Sequence, residues 1–337
     1  MQEQTMNVTT RDTLKLPKRQ SLTIKLQPDL PLLPLFQRYL LDEFQYARQH
    51  EVGIIRDDNL EFLHQYRVSL RRIRSLMKQL KYLYSNKIYS AITAQIKTMM
   101  ITTNQLRDLD VYLLKMDDYF DCLEHIHHQG LARFFDDLQD ARKNSFKVVK
   151  RRLKSDDYKQ QSLHLEDILS QDWERQKEKA ESAEKHLCQA AAQKVIDQAT
   201  QAVKQHTNLI ISVHTRTDAK SKNSDDSQIH RLRIACKRLR YNLEYFTPLM
   251  KKGMLKEQLV LLKSLQTTLG DFNDASVQHQ FLLTYRANKK PSSHRYRAIS
   301  ALIEITEQQH KHSRKRILKQ LAGFQLTLLE QHSALFR

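Results

Sequence analysis

No proline interrupts the chain between Pro34 and Pro248, and the whole sequence holds only 5 glycines. Strands must be joined by frequent turns that draw on these two residues, whereas a span without them winds into long helices. An all-α fold is therefore expected, and apolar residues recur with helical period from Leu32 onward. That period predicts helices over about 32–50, 89–102, 104–125, 131–153, 170–214, 255–269, 272–286 and 292–335. Asp58 and Asn59 are candidate N-caps for a further helix carrying the motif described next. Gly53, Gly130, Gly253 and Gly270 stand where the apolar period breaks and are expected to end helices. Residues 1–28 are polar, contain Pro17 and Pro28, and read as a mobile tail. The remainder, 29–337, reads as one domain in two halves, about 29–165 and 166–337, with a polar linker over 216–228.

The halves are inferred from a repeat. His64-Gln-Tyr-Arg67-Val-Ser-Leu-Arg71-Arg72-Ile-Arg74 returns as His230-Arg-Leu-Arg233-Ile-Ala-Cys-Lys237-Arg238-Leu-Arg240, at an offset of 166 residues. The same offset carries Lys97 onto Lys263, Asp108 onto Asp274 and Val111 onto Val277. Helical periodicity, duplication and short connections together imply two antiparallel bundles related by a pseudo-twofold axis, which would bring the two motifs toward one shared groove.

On a helix, positions 3, 7 and 10 after the first fall on one side. His64, Arg67, Arg71 and Arg74 then form a stripe that Lys78 and Lys81 extend, opposite Tyr66, Ile73, Leu76, Met77 and Leu80. Its length, roughly 25 Å at the helical rise per residue, suits an extended polyanion. The second copy aligns His230, Arg233, Lys237 and Arg240 against Leu232, Cys236, Leu239, Leu243 and Phe246, with Glu244 interrupting where Lys78 continues the first.

Charge points the same way. Lys and Arg number 56 against 38 Asp and Glu, a net +18, which favours nucleic acid, inorganic polyphosphate or an anionic membrane surface. No apolar run is long enough to span a bilayer, so a soluble, cytoplasmic protein without membrane insertion is expected. Cys122, Cys188 and Cys236 lack paired spacing, and the group Cys122, His125, His127 and His128 has no counterpart at plus 166, so neither disulfides nor metal are expected.

With these motifs in view, together with Leu106-Arg107-Asp108-Leu109-Asp110-Val111 and Leu269-Gly270-Asp271-Phe272-Asn273-Asp274-Ala275, the chain resembles the CHAD family, the conserved histidine α-helical domain. The resemblance covers about 30–320. It implies two pseudo-symmetric four-helix bundles with long helices and a basic central groove that binds inorganic polyphosphate. Such domains often accompany a triphosphate-tunnel domain. No Glu-x-Glu-x-Lys motif occurs in this sequence, so a stand-alone member is expected and no phosphatase chemistry is carried over. The segment before Arg107 lacks the glycine that Gly270 supplies in the second half, so the two inter-helix turns are expected to differ.

The expected polyphosphate-binding residues are His64, Arg67, Arg71, Arg74, Lys78, Lys81, Lys97, His230, Arg233, Lys237, Arg240 and Lys263. Arginine's planar fork suits phosphate oxygens and lysine adds a mobile charge. For His64 and His230 two readings stand: phosphate contact, in which case binding strengthens as pH falls through about 6.5, or anchoring of the neighbouring turn. Arg72 and Arg238 lie off the stripes and are expected to pair with Asp108 and Asp274, fixing each motif helix to its bundle. No catalytic set and no cofactor are expected. The function read from the sequence is non-enzymatic polyphosphate binding, with granule association as one use. The alternatives are nucleic-acid binding, weakened by the lack of interleaved aromatics, and histidine phosphotransfer, weakened by Val68 and Ile234 beside the histidines.

Overall fold

A computed structural model describes residues 14–19, 26–171, 187–214 and 222–330. Its regular structure is helical, with one isolated bridge between Pro31 and Leu187 and no named strand among the described residues, while 14–19 and 26–30 lie outside any helix. The first half comprises α1 (Leu32–Arg48), α2 (Glu51–Arg56), α3 (Leu60–Gln79), α4 (Asn86–Thr102), α5 (Asn104–Leu113), α6 (Met116–Cys122), α7 (His125–Lys154) and α8 (Asp156–Ser170). The second comprises α9 (Cys188–His214), α10 (Lys222–Tyr245), α11 (Lys252–Ala287) and α12 (His294–Glu330). The motif helices are α3 and α10.

Local chemistry accounts for several boundaries. Asn59 caps α3 by accepting from the Glu61 amide at 2.8 Å, and Ser85 and Ser155 cap α4 and α8 in the same way. The expected helix over 104–125 is broken into α5 and α6. In the second half α10 already begins at Lys222, inside the stretch expected as linker. Residues 172–186 of the helix expected over 170–214 lie outside the described residues.

The glycines depart from expectation. Gly270 lies inside α11, which runs unbroken where the first half is divided into α4 and α5, and a Cβ there would meet nothing. Gly130 lies in the first turns of α7, where a Cβ would run into the backbone carbonyl of His294, so it sets the closest approach of α7 to the start of α12. Gly53 is covered by the Phe62 ring within the short α2, and Gly253 lies in α11 in open space.

The apolar faces close on two cores. The larger takes α1, α3, α4, α8, α9, α10 and parts of α11 and α12, with Phe36, Phe44, Tyr66, Leu70, Leu232, Cys236 and Phe246 fully buried. The smaller joins α5, α6 and α7 to α11 and α12 around Phe134, Phe135, Leu282 and Leu302. Both cores therefore cross the boundary between the halves.

The N-terminal stretch is not wholly a free tail. Arg19 donates to both carboxylate oxygens of the buried Glu43, at 2.6 and 2.8 Å, and lies over the Tyr46 ring, while the Leu14 amide donates to Asp58 at 3.3 Å. The carbonyls of Pro28 and Leu30 accept from the first amides of α9, Gln189 at 3.2 Å and Cys188 at 2.9 Å.

Candidate functional site

The two stripes face one another. Arg71 of α3 lies close enough to Arg233 and Lys237 of α10 to act on both. Burial, joined by the charges of Arg233, Arg71 and Arg240, pulls the Lys237 ammonium from its ordinary value down to about 8. Burial also lowers Arg233, a shift that Asp274 opposes and Arg71 reinforces. Among the described residues, Arg71, Arg233 and Lys237 have no carboxylate within ion-pair distance, and the Nε donors of Arg71 and Arg233 are buried without a hydrogen-bond partner.

Beside this contact opens a cleft of about 870 Å³ between α3, α5 and α11. Its basic end is formed by His64, Arg67, Arg71 and Arg107, and Asp108 and Asp274 enter from opposite sides. Both carboxylates act on Tyr112, whose hydroxyl is pushed up chiefly by burial. Asp108 is itself raised by desolvation, which Arg67 and Arg107 counter. His64 is lowered by burial first and then by Arg107, Arg71 and Arg67, with Glu61 opposing.

Arg67 has a second task. Its guanidinium donates to the Met100 carbonyl at 2.8 Å, the Thr103 hydroxyl at 2.7 Å and the Asn104 side chain at 2.8 Å. It thereby takes up acceptors at the break between α4 and α5, where a helix end leaves carbonyls without partners. The second-half counterparts of Met100, Thr103 and Asn104 are Gln266, Leu269 and Gly270, and the helix is continuous there. Gln266 instead donates to the Cys236 carbonyl at 2.7 Å, and Arg233 makes no equivalent bonds. The repeated arginine is a cap in one half, while in the other its buried Nε has no hydrogen-bond partner among the described residues.

The expected pairs of Arg72 with Asp108 and Arg238 with Asp274 do not form. Arg72 points to the opposite side of α3, where it meets Glu244 of α10 at 2.9 Å and Glu43 of α1 at 3.6 Å. Glu244 also meets Arg240 at 3.4 Å, and the Tyr241 ring lies beneath both arginines. No ion pair joins Arg238 to Asp274 among the described residues. The aspartates face the first arginine of each stripe instead, Asp108 toward Arg67 and Asp274 toward Arg233. On α3, Arg67 and its facing carboxylate Asp108 are thus on one side of the helix and Arg72 is on the other, where it shares Glu244 and the Tyr241 ring with Arg240.

The remaining expected residues lie farther out. Arg74 and Lys78 are exposed along α3, whereas Lys81 follows the end of that helix in a 3₁₀ turn and sits over the Tyr89 ring. Lys97 and Lys263 are exposed on α4 and α11 and do not line the cleft. His230 is exposed, its Nδ1 lying 3.2 Å from the Asn273 side-chain oxygen. Arg107 was not among the expected binding residues. It has Asn273 as its counterpart, so the repeat, which ranked residues by recurrence, gave it no weight. In the group of Cys122 and its histidines, His128 faces the carbonyls of Phe120 and Leu123, at 3.1 and 2.9 Å.

A family model described as the CHAD domain matches residues 38–283. The crystal structure of the CHAD domain from the plant Ricinus communis is similar in fold, with a TM-score of 0.66 at 21% identity, covering 93% of this chain and 96% of that one. PptA from Streptomyces chartreusis is likewise similar, with a TM-score of 0.64 at 13% identity, covering 86% of this chain and 96% of that one. No curated protein sequence matches this chain.

Proposed function

The chain belongs to the CHAD domain family, and from that membership we propose that it binds inorganic polyphosphate, without catalysing its turnover, where the two basic stripes meet. The observation that carries this reading is the meeting of Arg71 with Arg233 and Lys237, three cations that have no carboxylate within ion-pair distance among the described residues and only Asp274 near enough to offset them in part. Bringing like charges together while partly removing them from water is unfavourable, and an anion seated among them reverses the sign of that interaction. Arg74 and Lys78 continue the track on α3, so a chain of phosphates can follow the helix beyond the buried group. Burial and the neighbouring arginines disfavour the charged ring of His64, which serves there as a hydrogen-bonding group. Association with polyphosphate granules is the use that such binding would serve.

The test is retention of long-chain polyphosphate by the purified chain and by a variant carrying Arg71→Glu and Lys237→Glu, with helicity compared by circular dichroism. Loss of retention in a helical variant is expected, together with a steep fall in wild-type affinity with added salt. Full retention by the variant would overturn the proposal. Displacement of polyphosphate by short RNA or DNA at equal phosphate concentration would transfer the site to nucleic acid.

A further inference from the structure

The cleft beside the basic contact has a second chemical character that a chain of bare phosphates does not use. One turn beyond Asp108 on α5 stands Val111, and one turn beyond Asp274 on α11 stands Val277, its counterpart at the same offset of 166. Val277 is 55% exposed, and both valines line the cleft. Behind them Tyr112 and Phe281 are stacked with ring centroids 4.1 Å apart, and the Tyr112 hydroxyl donates to the Val277 carbonyl at 3.4 Å. The apolar wall is thereby fixed in place across the two halves.

From the basic end inward, the cleft therefore presents phosphate-binding donors, then two carboxylates, then an apolar wall. A polyphosphate chain would be repelled by the carboxylates and would gain nothing from the valines. We infer that the cleft between α5 and α11 takes a nucleoside polyphosphate, its phosphates among Arg71, His64 and Arg107 and its base against Val111, Val277 and Phe281. Asp108 and Asp274 then accept from the sugar hydroxyls or from ring N–H groups, which inorganic phosphates lack. The 870 Å³ of the cleft falls within the range of small-molecule sites. This inference rests on the proposed polyphosphate site for its phosphate end and adds the class of molecule that the same end would prefer.

The full chain should be titrated calorimetrically with ATP and, separately, with inorganic tripolyphosphate, which has the same number of phosphates. Long-chain polyphosphate retention is measured in parallel, and all are repeated with Val277→Gln. This substitution is neutral and at an exposed position, and circular dichroism checks that the helices are kept. ATP is expected to bind about tenfold more tightly than tripolyphosphate, the order of one base seated on an apolar face, and Val277→Gln should erase most of that difference while leaving tripolyphosphate binding in place. Equal affinities, or a preference untouched by Val277→Gln, would overturn the inference and leave polyphosphate binding standing. ATP binding with the Val277-dependent preference but no polyphosphate retention would overturn the proposed function alone. Binding of none of the three would overturn both.

Discussion

Lys237 shows how one residue can report on the whole site. Its ammonium is lowered to about 8 by burial and by three neighbouring cations. The group is protonated below that value, so polyphosphate affinity should fall as pH rises through about 8 and on toward 10. The free protein should respond in the opposite sense. Between about 8 and the ordinary lysine value of 10.5 the unfolded chain binds more protons at this position than the folded one, so this residue's contribution makes stability rise with pH. Lys237→Arg, whose charge persists through this range, should flatten the affinity profile. An unaltered profile in that variant would assign the pH dependence elsewhere. Burial and then Arg107, Arg71 and Arg67 make the His64 ring harder to charge in the free protein, and a phosphate seated against it would oppose that shift. The recurrence of these residues could be read in the sequence. Their pKa shifts could not, because they arise from burial and from charges on another helix.

At the scale of elements, helical periods and the cap at Asn59 were legible, but the glycines were misleading. A glycine's rank as a helix breaker describes an isolated helix, whereas Gly270 is carried through by the packing of α11 on α10 and α12, and Gly130 is demanded by its neighbour. The two should therefore answer oppositely to alanine. Gly270→Ala meets open space in a helix interior and should stabilise the protein by about 1 kcal/mol. Gly130→Ala drives a methyl group into the His294 backbone and should destabilise it by about 1–3 kcal/mol. Thermal or denaturant melts of the two variants decide this, and equal effects of one sign would contradict it. The break at Thr103 stands at the boundary expected between 89–102 and 104–125, but the group that fills it was not legible. Arg67 supplies donors to Met100, Thr103 and Asn104 there, and this role of a stripe residue has no signature in a helical wheel.

For the whole molecule, the halves are joined through Arg72. It lies between Glu43 of the first half and Glu244 of the second, and Glu43 is almost fully buried. Arg72→Ala should cost about 3 kcal/mol in a denaturant melt, since truncating one member of a largely buried network leaves the opposite charges undercompensated. Arg19 also reaches Glu43 and would moderate the loss; a cost within 0.5 kcal/mol of zero, the scale of an ordinary surface change, would deny the network its structural role. The pairing of Arg72 with Asp108 was a reasonable reading of two residues that recur at one offset, yet recurrence says only that both are kept, not that they meet. By itself the sequence determined the all-helical class, the repeat, the family and the basic stripes, because helical period and register are local properties of the chain. The tertiary structure alone decided which stripe residues face each other, which arginine serves as a cap, and where the cleft with its apolar wall opens. Those depend on the angles at which α3, α5, α10 and α11 cross, and crossing angles are set by packing between residues far apart in the chain.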